Sequence, residues 1–251
     1  MWCVAALEWR VALELSNETV GIAEILKGED THANNQKAFD LPSRLIAKIF
    51  LFRTIFRGSG WAFANDPDFM HVSSSPQFWD GMNEKFYAKY FNLDKQHKIW
   101  MQTVAEHRPI VGPLGRSWKL DLKKVQRLNR FTGEVETELK LPINQLVNLP
   151  VQGTGADIMT IARISAYKRI KKAEIPCDFI STVHDSIVVD TYEKHLQQIR
   201  EIFDQVFADI PKNIKAVFGY DWKVPMACES KYGPNMKDMH KFAWLYKESV
   251  L

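Results

Sequence analysis

Cysteine is scarce in this chain. Only Cys3, Cys177 and Cys228 occur, an odd number with no C-x-x-C spacing. Neither a disulfide framework nor a zinc site is therefore indicated, and a reducing, intracellular setting is expected. Long hydrophobic runs are missing as well. The most apolar stretch, residues 45–56, carries Lys48 and Arg53 and falls short of the ~20 apolar residues that span a bilayer, so no membrane partner is expected. Charge of one sign does not dominate either: 33 Lys and Arg against 30 Asp and Glu leave +3, which by itself argues for no polyanionic partner. No repeat or low-complexity segment interrupts the chain. What remains is 251 residues, 46% hydrophobic and 25% charged, enough for one or two domains with a proper core.

Periodicity divides the chain into elements. Apolar residues 2–7 predict a strand, and helical spacing follows over 10–27 and 42–57, the latter with Pro42 in its first turn and Gly58 past its end. Gly, Ser, Asn and Pro over 58–76 predict a long loop. Helices are expected at 77–91 and 94–107, a turn and strand at 109–122, and a helix over 141–174 broken at Pro150. Two strands flanking residues 184–186, a helix over 193–207 and a closing strand over 222–231 complete the order. Helices inserted between separated strands predict an α+β fold. Two basic clusters, residues 116–130 and 168–172, are either phosphate footprints or solvated faces.

Three constellations carry chemistry. The run Val183-His184-Asp185-Ser186-Ile187-Val188-Val189-Asp190 alternates β-branched residues around a polar break, which puts one carboxylate, Asp185, at a hairpin tip where a metal ion and a phosphate can reach it. An ordinary turn would also use Asp there. Arg44, Lys48, Phe52 and Phe56 recur every four residues, so one helix face presents two cations and then two aromatics, suited to a triphosphate followed by a base. A buried helix with snorkelling charged ends has the same pattern. His32 upstream is a candidate phosphate donor. In Asn148-Leu149-Pro150-Val151-Gln152-Gly153-Thr154-Gly155-Ala156-Asp157, Asn148 and Gln152 can read base edges while Gly153 and Gly155 allow close approach. Capping by Thr154 with Asp157 is the structural alternative.

In this order the motifs resemble the C-terminal part of a family A, DNA polymerase I-like enzyme, especially the phage members. Residues 4–10 resemble the first palm motif, 44–58 the fingers helix, 148–157 the helix before the last motif, 183–185 the second palm motif, and 224–235 the C-terminal strand. The resemblance implies a polymerase palm with an antiparallel sheet, residues 1–13 and 141–251, and an inserted helical fingers subdomain, 14–140, with thumb and exonuclease absent. It also implies transfer of dNTPs to a primer 3′ end on primer-template DNA, with two Mg2+ ions, replaceable by Mn2+, held by palm carboxylates. Asp185 is then a catalytic metal ligand. His32, Arg44 and Lys48 grip the triphosphate, and Lys48 also protonates or neutralises the leaving group. Phe52 and Phe56 pack the nascent base pair, and Glu8 excludes a ribose 2′-hydroxyl. Asn148, Gln152, His184 and Arg116 contact DNA.

Four positions depart from the pattern. Cys3 stands where the family has its other metal-bridging Asp, and a soft thiol is a poor Mg2+ ligand. Ser186 replaces an acid, Phe56 a Tyr and Arg57 a Gly. The start within a strand predicts a second chain that supplies thumb and exonuclease, in the cytoplasm of a bacterial or phage-infected cell. Competing readings are a catalytically impaired polymerase-like DNA-binding subunit, a single-subunit RNA polymerase, and a nuclease using His184, Asp185 and Asp190.

Overall fold

The computed structural model describes residues 1–128 and 134–242. Arg130, from the first basic cluster, and the last nine positions of the expected palm lie outside the described residues. A five-stranded sheet of order β6-β7-β1-β8-β9 lies at the centre, built from β1 (Trp2–Val4), β6 (Cys177–Val183), β7 (Ser186–Thr191), β8 (Cys228–Tyr232) and β9 (His240–Lys241). All its pairings are antiparallel. The shortest of the inner strands is thus flanked by residues far along the chain: Cys3 is opposite Ser186 on one side and Glu229 on the other. Trp2 and Val4 point into the core, and Trp2 stacks on Phe203 at 4.3 Å between centroids. By the period of two, Cys3 faces away from that core.

The helices follow in order: α1 (Leu7–Ser16), α2 (Thr19–Leu26), α3 (Thr31–Ala38), α4 (Arg44–Thr54), α5 (Gly60–Ala64), α6 (Pro76–Lys89), α7 (Phe91–Ala105), α8 (Ile143–Lys172), α9 (Leu196–Ala208) and α10 (Ile210–Phe218). Two small hairpins, β2 (Ile110–Val111) with β3 (Ser117–Trp118) and β4 (Lys123–Leu128) with β5 (Val135–Lys140), lie between α7 and α8. The sheet draws its strands from residues 2–4 and 177–241, and every element from α2 to α7 is a helix.

Several expectations need correction. The helix expected over 10–27 is two helices, because Asn17 turns left-handed at φ 49° and its N–H caps α1. Glu18 then caps α2 and also accepts from the N–H groups of Asn92 and Leu93 in the first turn of α7, a carboxylate placed where a helix N-terminus favours it. Residues 29–41, read without an element, contain α3, capped by Asp30 through His32 N–H and Ala33 N–H. The loop over 58–76 contains α5. Gly60 approaches α6 so closely that a Cβ would lie 2.4 Å from the Asp80 carboxylate, which instead accepts from Gly60 N–H at 2.8 Å.

The helix over 141–174 does not break at Pro150. Leu146, Val147, Pro150 and Val151 are all buried, and this packing outweighs the hydrogen bond that proline removes. Thr154 is consequently buried in mid-helix and caps nothing. The core is aromatic on the helical side: Phe50 touches Phe39, Phe63, Trp79 and Phe86.

Candidate nucleotide and DNA cleft

The sharp β1-to-α1 connection organises the site. Ala6 adopts φ 51°, a left-handed conformation that a non-glycine residue holds only when its surroundings enforce it. Here Arg10 does so, donating from Nε to the Ala5 carbonyl at 2.8 Å and from Nη1 to the Pro225 carbonyl. Val4 N–H donates to the carbonyl of Asp185 at 2.8 Å, which ties β1 to the tip of the β6–β7 hairpin. That tip is the two-residue turn His184-Asp185, with His184 left-handed at φ 50°.

These constraints leave a cleft of about 540 Å³. The sheet contributes Cys3, Asp185 and Glu229, and α1 contributes Glu8. The start of α3 contributes Asp30 and His32, and α4 contributes Arg44, Lys48 and Phe52. Seven of the sequence-predicted residues, Cys3, Glu8, His32, Arg44, Lys48, Phe52 and Asp185, therefore meet in one cavity although they span positions 3 to 185. The i, i+4 stripe is real for its first three members, capped at the N-terminus by Ser43, whose hydroxyl accepts from Ile46 N–H. Its fourth member is displaced: α4 ends at Thr54, so Phe56 lies in the following turn, half-buried against both core clusters, and does not line the cleft.

Electrostatics inside the cleft are uneven. Arg44 pairs with Asp30 at 2.6 Å. Burial would raise Asp30, but the hydrogen bond from Arg44 and those from the α3 backbone hold its carboxyl below the ordinary range. His32 is 9% exposed, and its pKa is lowered chiefly by burial and then by Arg44, against the opposing pull of Asp30. It is therefore neutral at pH 7, and its buried Nδ1 has no protein partner, leaving a polar atom unpaired beside the cleft. Phe52 lies beside it, 6.1 Å between ring centroids. Burial first, then the Asp185 and Glu229 carboxylates, push the Cys3 thiol up to about 12.

The cleft thus joins cations on a helix to carboxylates on a strand and its neighbours. The model of DNA polymerase family A matches residues 4–238. The chain belongs to that family. DNA polymerase I of Aquifex aeolicus is 22% identical over 235 residues, covering 86% of this chain and 38% of that protein. DNA polymerase I of Chloroflexus aurantiacus is 20% identical over 245 residues, 94% of this chain and 24% of its own length. Among solved structures, the POL domain of Pol1 from M. smegmatis superposes with TM-score 0.69 at 17% identity, over 90% of this chain and 38% of that one, which establishes the shared fold. This family A chain spans well under half the length of those relatives.

The donor set does not fit the pair of Mg2+ ions associated with family A. Mg2+ needs hard oxygen ligands, and the strand position beside Asp185 holds a protonated thiol. Among the described residues no group of three His, Cys, Asp or Glu side chains is arranged to hold a metal ion. Glu229, across the register from Cys3, was seen in sequence only as part of a closing strand. Its place at the site depends on strand pairing, and no local pattern announces it.

The remaining predicted residues lie elsewhere. Asn148 and Gln152 are half-buried on one face of α8, four residues apart. His184 is exposed at the hairpin tip and does not line the cleft. Arg116 is held bidentately by Asp157 of α8 at 2.6 and 3.0 Å. The space expected to admit a ligand at Gly153 is taken by Trp118, 2.5 Å from where a Cβ would stand, so Gly153 and the Arg116 pair together fasten the β2–β3 hairpin to α8. A Cβ at position 155 would stand 3.4 Å from Leu7, so Gly155 faces α1 with room for no more than a methyl group. Arg169, in the second basic cluster, pairs with Asp209, which makes that part of the cluster structural. Asp190 is opposite Asp178 near the other end of β7 from Asp185, so a nuclease trio of His184, Asp185 and Asp190 is not assembled.

Proposed function

We propose that the cleft seats a deoxynucleoside triphosphate against a primer 3′ end on a template and serves template-directed DNA synthesis, with the chemical step restrained by Cys3. The observation that carries this reading is the convergence of the Arg44-Lys48-Phe52 face with Glu8 and Asp185 in one cavity. Arg44 exchanges its exposed Asp30 partner for phosphate oxygens, Lys48 adds a point charge one turn on, and neutral His32 offers its unpaired ring nitrogen. Phe52, a turn beyond, supplies a face for the base. Glu8 occupies the sugar end and disfavours a ribose. Asn148, Gln152 and His184 contact the primer end, with Arg116 behind them as support for the β2–β3 hairpin. The M. smegmatis neighbour is described in complex with DNA primer-template and dNTP, which supports the same ligands here.

A binding-only subunit is the second reading, favoured by the thiol beside Asp185. Primer extension with Mg2+ and with Mn2+, on the chain and its Cys3→Asp variant, tests both. Extension that is weak for the chain and raised in the variant supports restrained synthesis. Salt-sensitive primer-template binding with no turnover in either protein favours the binding subunit. Robust Mg2+-dependent extension by the unmodified chain refutes the restraint. Comparing dNTP with rNTP tests Glu8, since preference for rNTP would favour an RNA polymerase.

A further inference from the structure

Past the end of α4, Arg57 takes a left-handed conformation at φ 60° that costs a non-glycine residue about 1–2 kcal/mol. Its side chain compensates with three partners on two other helices. Nε donates to His97 Nδ1 at 3.1 Å, Nη2 donates to Asp94 Oδ1 at 2.5 Å, and the guanidinium lies 4.1 Å from the centre of the Tyr87 ring. The ion pair is mostly buried, with 22% and 13% of the two side chains exposed. His97 is fully buried and is neutral, its pKa lowered to about 3 chiefly by burial and then by Arg57, so Nδ1 is free to accept.

The surrounding bonds all close on the same helix end. Tyr87 donates its hydroxyl to the Thr54 carbonyl, Asn83 donates to the Gly58 carbonyl at 2.9 Å, and the Thr54 hydroxyl donates to Asn83 Oδ1 at 3.2 Å. The C-terminus of α4 is thus bolted to α6 and α7. Its N-terminus, where Arg44 meets the cleft, has the Ser43 cap, one exposed ion pair and the buried side chains of Ile46 and Ala47, with no comparable side-chain clamp to α6 or α7 among the described residues. Arg57 itself lies outside the cleft, nine residues and roughly 13 Å of helix from Lys48.

We propose that Arg57 is a positioning residue for nucleotide selection: by clamping the end of α4 to Asp94, His97 and Tyr87, it sets where Arg44, Lys48 and Phe52 stand relative to Glu8 and Asp185. The proposal rests on the triphosphate reading of the cleft. The backbone closes the turn through Arg57 N–H to the Thr54 carbonyl at 2.9 Å and Gly58 N–H to the Arg53 carbonyl at 3.0 Å, bonds that glycine would keep at less conformational cost, so what the arginine side chain adds is its contacts with Asp94, His97 and Tyr87.

The test uses the full chain with a dideoxy-terminated primer-template and the next correct dNTP as probe. Arg57→Gly removes the clamp while relieving the backbone. It is expected to weaken dNTP binding to the complex about tenfold, leaving primer-template affinity within roughly twofold. Arg57→Lys should recover part of the loss through Asp94, and Asp94→Asn should add little to Arg57→Gly, because both break one clamp. Amide exchange should quicken over residues 44–54 and stay unchanged in β1, β7 and β8. If Arg57→Gly binds dNTP as the wild type does while Lys48→Ala binds it more weakly, the cleft reading stands and the clamp alone is refuted. Parallel loss of dNTP affinity, primer-template affinity and thermal stability would reduce Arg57 to a structural role and also refute it. If neither the wild type nor Lys48→Ala shows saturable dNTP binding, the triphosphate reading fails and the proposal falls with it.

Discussion

Replacing Cys3 by aspartate puts a third carboxylate beside Asp185 and Glu229. Register places position 3 opposite Glu229, so the new charge lies within about 5 Å of a neighbouring strand's side chain. Two like charges at that distance repel by roughly 2–3 kcal/mol at an effective dielectric constant of 20–30. Position 3 is half-buried and Lys231 offsets part of the repulsion, so a net cost of about 2 kcal/mol is reasonable after solvent screening. For a chain of this size that lowers Tm by roughly 4–8 °C in the absence of divalent ions. The neighbours raise the folded-state pKa of the new Asp, so the native state holds more protons than the unfolded one, and the variant should regain stability as pH falls through that raised value. Mg2+ should reverse the penalty at neutral pH, since saturation at about 100 Kd contributes about 2.7 kcal/mol. Scanning calorimetry of both proteins with and without Mg2+ measures this. A wild type stabilised by Mg2+ as much as the variant, or a variant whose Tm ignores both the substitution and the ion, would refute the account of Cys3.

Other outcomes follow from single features. Trp2→Ala removes the ring stacked on Phe203 and should cost about 3–5 kcal/mol in urea unfolding, a large part of the total stability. Glu14→Ala leaves the buried N–H of Val224 without its acceptor and removes those of Tyr220 OH and Lys223 N–H, so a loss of about 2–4 kcal/mol is expected, against under 1 kcal/mol for an exposed glutamate such as Glu201. Burial raises all three thiols, Cys177 to about 11 and Cys3 and Cys228 to about 12, above the value near 9 of an unfolded thiol. Their contribution to stability is therefore whole below pH 9 and is lost as pH rises toward 11–12, and Cys→Ser variants should show a shallower alkaline decline in the urea midpoint. Arg44→Ala should weaken triphosphate binding while leaving the unfolding free energy within about 0.5 kcal/mol of the wild type, because its pair with Asp30 is exposed.

Features written in local pattern were legible in the sequence. The four-residue spacing of Arg44, Lys48 and Phe52 placed them on one face, and the β-branched run around Asp185 announced its hairpin. Features set by pairing across the chain were not. Glu229 joins the site through the register of β8 with β1, which no neighbouring residue encodes. The small helix α3, which carries His32, has little apolar patterning, and its evidence is the Asp30 cap. Pro150 misled because propensity argues locally while burial of Leu146, Val147 and Val151 decides the outcome. Phe56 slipped from its stripe because the left-handed turn at Arg57 is closed by partners 30 to 40 positions later.

The placement of β1 inside the sheet also bears on how the protein is made. Cys3 leaves the ribosome before its partner Ser186, which follows roughly 180 residues later, about 10–40 s at ordinary rates of synthesis. Through that interval Trp2 and Val4 have no strand to pair with, and the pairing that completes the cleft closes a very long loop, a slow contact to form. Helices α1 to α7, whose contacts are largely local, can assemble while β1 waits. The sheet side of the cleft thus assembles after its helical side, and nascent chains stalled before β7 emerges should already hold the α4 face with Glu8 and Asp30, but without Asp185 or Glu229 to set against it.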